Sequence, residues 1–188
     1  MSTLSSAERA GGPAGAAAGA DTGGPVRSPA PQIGVIGASN ASERERELAH
    51  AVGLELARAR AIVICGGRGG VMEEACRGAQ EGGALTVGIL PGADRAEANR
   101  WVHVAIPSGM GELRNGLIVR SSEALIAIGG SYGTLSEIAL GRRAGRTCVL
   151  LESFGELLAE PPLEGSAGGL LRAGDAAEAV ALAIAAAG

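Results

Sequence analysis

A chain of 188 residues is long enough for one domain with its own core and too short for two comfortable ones. It has 46% hydrophobic but only 2% aromatic residues, with 32 glycines, so the core is built from Ala, Val, Ile and Leu, which suits helices packed closely on a parallel sheet. A net charge of −4 without a basic run argues against a nucleic-acid partner, and the absence of any lysine excludes a pyridoxal-phosphate enzyme or a Walker A loop.

Residues 1–31 carry Ala, Gly, Pro and Ser with scattered charges and no periodicity. They lack the apolar stretch of a secretory signal and are expected to form a disordered tail ahead of a single domain spanning 32–188. No segment reaches the length of apolar chain that a membrane span needs, so a cytoplasmic protein is expected. Ile33–Ile36 reads as a strand, ending at Gly37-Ala38-Ser39-Asn40. Ser42, with Glu45 three residues later, is placed to cap a helix running to about Ala59. Ala61–Cys65 is a second strand that runs straight into Gly66-Gly67-Arg68-Gly69-Gly70. A helix from Val71 follows and closes at Glu81-Gly82-Gly83. Thr86–Leu90 is a third strand stopped by Pro91-Gly92, and Val102–Ile106 is a weaker one after a loop containing Asn99 and Trp101.

Glu112 to Arg120 reads as a short helix. Ala124–Ile128 is the next strand, followed by Gly129-Gly130-Ser131-Tyr132-Gly133-Thr134 and a helix to about Arg143. Thr147–Leu151 is the last clear strand. Pro161-Pro162 to Gly169 reads as loop, and Asp175 is placed to cap a terminal alanine-rich helix to Ala187. Strands and helices in alternation predict an α/β, Rossmann-like fold, with a mostly parallel sheet covered by helices on both faces. Cys65, Cys76 and Cys148 have no zinc-like spacing and fit no disulfide framework, so they read as reduced core residues, and no metal site is expected.

Two glycine turns lie at carboxyl ends of strands, where open α/β sheets bind ligands. There Gly66, Gly67, Gly69 and Gly70, and likewise Gly129, Gly130 and Gly133, let the backbone approach an anion at a helix N-terminus. Gly37, Ser39, Arg68, Ser131, Tyr132 and Thr134 complete the expected phosphate contacts. Valine at Gly67 or Gly130 is expected to block the anion while the chain still folds. Neither turn is G-x-G-x-x-G, and no acidic residue ends the following strand, which disfavours NAD. Thr134-Leu135-Ser136-Glu137 fits a capping box, with Glu137 reaching back to Thr134. Alternatively Glu137, in the first helical turn, binds ribose hydroxyls or polarises a glycosidic bond. Arg114, followed by Asn115, is either a solvated helix residue or a bidentate phosphate ligand, and Arg120 carries the same ambiguity. His50, in an exposed helix, and His103, in a strand, read as structural.

Three ordered motifs carry a family resemblance: Gly66 to Glu73, Gly109-Met110-Gly111-Glu112-Leu113-Arg114-Asn115, and Gly129 to Glu137. Together they resemble the LOG-like superfamily, formerly labelled lysine decarboxylase-like, and most nearly its molybdenum-cofactor-carrier-like branch. The resemblance spans about Gln32 to Leu151. It implies a Rossmann-like fold, a homo-oligomer (dimer or tetramer) and a small phosphorylated ligand at the glycine turns, either molybdenum cofactor or a nucleotide. In the cytokinin-activating members an arginine and a glutamate serve N-glycosidic cleavage of a nucleoside 5′-monophosphate, without a catalytic cofactor, and motif matching puts those roles on Arg114 and Glu137. Those enzymes begin the last motif Pro-Gly-Gly and carry two consecutive acids. Here Gly129 stands for the proline and Ser136 for the first acid, as in the carrier-like branch. The resemblance therefore implies a binding or carrier protein, with phosphoribohydrolase as the alternative.

Overall fold

Short runs of Ile, Val and Leu with alternate residues facing opposite ways make seven strands among the described residues, the central ones buried on both faces and the edge strands half exposed. The structure, a computed structural model, describes residues 29–154 and 168–187. The expected tail up to residue 28 and most of the Pro161–Gly169 loop lie outside the described residues.

The strands are β1 (Gln32–Gly37), β2 (Ile62–Cys65), β3 (Thr86–Leu90), β4 (Val104–Pro107), β5 (Ala124–Ile128), β6 (Thr147–Leu151) and β7 (Leu170–Ala173). They form one sheet in the order β4-β3-β2-β1-β5-β6-β7, and every neighbouring pair is parallel. The helices are α1 (Glu43–Arg58), α2 (Val71–Glu81), α3 (Asn115–Arg120), α4 (Tyr132–Arg143) and α5 (Ala176–Ala186), with 3-10 turns at Arg95–Glu97 and Gly111–Arg114. Ile33 and Val35 of β1, with Ala124, Ile126 and Ile128 of β5, face a cluster that holds α1, α2 and α5 residues. Ile36, Leu125 and Ala127 face the opposite cluster with Ile118, Val119 and Ile138 from α3 and α4. That alternation makes the Rossmann-like α/β fold, with helices on both faces.

Three expectations differ from this fold: the helix read over Glu112 to Arg120 is a 3-10 turn at Gly111–Arg114 followed by α3. The fourth strand starts at Val104, so His103 precedes it; its Nδ1 lies 2.9 Å from the Thr86 hydroxyl, tying the loop to β3. Strand β7 was absent from the sequence reading, because Leu170-Leu171-Arg172-Ala173 has no β-branched residue and gains its form by pairing with β6. His50 Nε2 lies 2.8 Å from the Glu81 carboxylate across the α1–α2 seam.

The chain fills the sheet leftward from β1 to β4, then returns to β5 on the other side of β1. The order reverses there, and the carboxyl ends of β1 and β5 diverge into a crevice.

Candidate functional site

The crevice holds a cavity of about 300 Å³, at the small end of ligand-site volumes. Its wall combines Gly37 at the end of β1 and Ser39 beyond it, Gly66 and Arg68 after β2, and Pro91 after β3 with Ser131, Gly133 and Thr134 at the start of α4. Arg114, Asn115 and Glu137 close it from the α3–α4 side. The two glycine turns, which begin at Gly66 and Gly129, therefore face one space.

Not every expected contact lies on that wall. Gly67, Gly69, Gly70, Gly129, Gly130 and Tyr132 do not line the cavity, whereas the unpredicted Met72, Gly111 and Glu112 do. Tyr132 points to solvent, 91% exposed. Arg120 lies on the exposed C-terminal end of α3, outside the cavity.

Several of these glycines serve packing. Gly67, at φ +71°, leaves no room for a Cβ, which would stand 2.7 Å from Leu90. Gly130, at φ +144°, is pressed by Phe154 at 2.6 Å from the same hypothetical atom. Valine at either site would therefore strain the fold itself, contrary to the expectation that only the ligand would be blocked. Gly66 differs: a Cβ there would meet Nη2 of Arg114 at 2.6 Å and Sδ of Met72 at 2.8 Å. The missing side chain makes space for the guanidinium.

The second turn also rests on residues outside the expected ligand contacts. Glu45, whose carboxylate accepts the Ser42 N–H at 2.7 Å, packs over Gly129. The buried Ser153 hydroxyl donates to the Gly129 carbonyl. Glu152 and Phe154, on either side, hold positive φ values of 50° and 48°. Such strain in non-glycine residues persists only where surrounding contacts over-determine it.

The capping at α4 corrects the expected box. Ser131 is the N-cap, its backbone N–H donating to the Thr134 hydroxyl at 3.3 Å. The cap thus sits one turn earlier than a Thr134–Glu137 box requires, and Glu137 falls in the second helical turn. Freed from capping, Glu137 is 6% exposed, and its Oε1 accepts from Nη1 of Arg114 at 3.3 Å. The same Nη1 donates to the Asn115 side-chain oxygen at 2.8 Å. Asn115 donates to the Ser136 hydroxyl at 2.9 Å, which donates on to the Gly133 carbonyl at 2.7 Å. One chain of bonds therefore connects the N-terminal turn of α4 to the arginine at the cavity floor.

Electrostatics at this floor are set by burial. Desolvation pushes the Glu137 carboxyl up from 4.5 to about 7, and the Arg114 charge only partly opposes it. Arg114 keeps Nε buried and without a partner among the described residues. Behind the first turn, Cys65 and Cys76 sit with sulfurs 3.5 Å apart, and the Gly67 N–H donates to the Cys65 sulfur at 3.3 Å. A floor with an arginine and a near-neutral acid, under two helix N-termini, can hold a phosphate and either bind or protonate a neighbouring polar group.

The chain is similar to several known proteins. Residues 30–180 match the family described as SLOG cluster4. An uncharacterized protein of Archaeoglobus fulgidus is 43% identical over 121 residues, covering 64% of this chain and 80% of that one. The molybdenum cofactor binding protein of Rippkaea orientalis superposes with a TM-score of 0.77 at 33% identity, over 84% of this chain and 97% of that one. The molybdenum cofactor carrier protein of Chlamydomonas reinhardtii gives a TM-score of 0.73 at 34% identity, over 84% and 98%.

Proposed function

The chain belongs to the SLOG cluster4 family, and from that premise we propose that it binds a small phosphorylated pterin or nucleotide, molybdenum cofactor foremost, and holds it without cleaving it. One observation carries the reading: both glycine turns and the Arg114 floor open into a single polar cavity at the sheet's switch point. The residues fit such a group. Arg114 has a buried Nε with no partner among the described residues, and Gly66 lacks the Cβ that would crowd its guanidinium. In this reading the start of α4 (Ser131, Gly133 and Thr134) and Arg114 hold the phosphate. Ser39, Arg68 and Glu112 stand along the rest of the wall. The likeness to two molybdenum cofactor proteins at about one-third identity supports this choice of cargo. As cargo, the cofactor brings its own metal chemistry to a recipient, and this chain's residues bind and orient it.

The second reading, nucleoside 5′-monophosphate phosphoribohydrolase, is favoured by Glu137 alone. A buried carboxyl held at about 7 beside an arginine is suited to general acid–base work on a glycosidic bond. Against it, Ser136 is occupied in holding Asn115. Chromatographic detection of free adenine from AMP and its N6-substituted analogues separates the two. Binding without base release is expected of the wild type. Multiple turnovers, abolished in Glu137→Gln, would overturn the carrier reading.

A further inference from the structure

The segment between β3 and β4 reaches the cavity wall only through Pro91, yet it grips the first glycine turn. Asn99 donates its backbone N–H to the Gly67 carbonyl at 2.9 Å and its side-chain Nδ2 to the Arg68 carbonyl at 2.9 Å. Its own side chain is held in turn, because Oδ1 accepts the Trp101 N–H at 3.0 Å. Trp101 and Val102 pack against the buried cluster of Cys65, Met72 and Cys76, so the clamp is anchored in the core.

The two carbonyls that Asn99 takes determine where the next two amides point. In a trans peptide the C=O and the N–H face opposite ways. With the Gly67 and Arg68 carbonyls drawn to Asn99, the Arg68 and Gly69 N–H groups face away from it. Neither donates to any group among the described residues. Gly67 lies at φ +71°, and successive N–H groups at a left-handed turn form a concave anion site. A run of Gly66-Gly67-Arg68-Gly69-Gly70 has almost no side chains to hold one conformation, and its peptides would otherwise flip. The restraint has to come from outside the turn.

We infer that Asn99 is a positioning residue that presets the first glycine turn as an oxyanion nest, with Arg68 on the cavity wall and the Gly69 N–H behind it, which completes the phosphate site begun by Arg114 and the start of α4. It does not line the cavity and acts only through the turn. This inference rests on the proposed binding function and names a determinant of that same site.

The test uses the full, 15N-labelled chain titrated with inorganic phosphate and, separately, with AMP. In the wild type, the Arg68 and Gly69 amide resonances are expected to shift saturably. Asn99→Asp keeps the shape and the oxygen that accepts from Trp101, but turns an oxygen instead of Nδ2 toward the Arg68 carbonyl. It should weaken AMP binding about tenfold or more and blunt both shifts, with the melting temperature little changed. Asn99→Ala should weaken binding similarly. If wild type binds neither probe, the phosphate site in the proposed function falls and this inference with it. Binding that moves the Ser131–Thr134 amides but leaves Arg68 and Gly69 still would overturn the nest alone. So would Asn99→Asp with wild-type affinity. Should both variants fail to fold, the wild-type amide shifts decide the matter.

Discussion

Glu137 and Arg114 are paired at the cavity floor, and each is 11% or less exposed at its side chain. The pH response of stability follows from that burial. The Glu137 carboxyl is raised from 4.5 to about 7, so the folded state favours its protonated form. Its stabilising contribution is full below about 4.5 and is lost as pH rises through about 7. Glu137→Gln has no such dependence. Between acid and about pH 8, the variant should gain on wild type by on the order of 3 kcal/mol. Denaturant unfolding at a series of pH values checks this, and parallel stability curves for the two proteins would refute it. Arg114→Ala removes the floor's positive charge and the only protein partner Glu137 has among the described residues. It should abolish AMP binding and drive the Glu137 carboxyl still higher. A carbon-edited titration of that carboxyl against pH would show the rise, and a fall would contradict it.

At the scale of elements, the contact between α1 and α2 depends on two glycines inside helices. A Cβ at Gly53 would run into the Ala75 carbonyl, and one at Gly78 into the His50 carbonyl. On helix propensity alone, alanine at either position would stabilise by about 1 kcal/mol. The backbone clash should win, with a net loss of about 1–3 kcal/mol and a melting temperature lowered by several degrees. A raised melting temperature in Gly53→Ala would show that the helices can part without cost.

Elements with strong local signals were legible in the sequence. β5 and β6 have the expected boundaries, and Ser42–Glu45 and Asp175 cap α1 and α5 as their spacing implies. β7 was not legible, because its residues carry no strand preference without β6 beside them. The glycine turns identified the crevice, but not which glycines face it. That division is set by φ and by neighbours such as Leu90, Glu45 and Phe154, which are distant in sequence. Thr134-Leu135-Ser136-Glu137 looked like a capping box because its spacing is right. Ser131 captured the cap first, and that freed Glu137 to pair with an arginine 23 positions earlier.

Across the whole molecule, exposed apolar side chains gather on neighbouring elements at one side of the cavity. Leu113 is 79% exposed, with Met110 before it, Leu117 on α3 and Leu140 on α4 also open to solvent. We propose that this face joins copies of the chain into the homo-oligomer that the family resemblance implies. Leu113→Glu should then shift the mass measured by light scattering toward the monomer, and an unchanged mass would place the contact elsewhere. In the proposed function both glycine turns and Arg114 form one binding site for a phosphorylated cargo. Equilibrium co-retention with molybdenum cofactor, under anaerobic conditions, tests it most directly. Saturable binding at one ligand per chain is predicted, weakened at least about tenfold by Arg114→Ala. Failure of the wild type to retain the cofactor, or equal retention by Arg114→Ala, would contradict it.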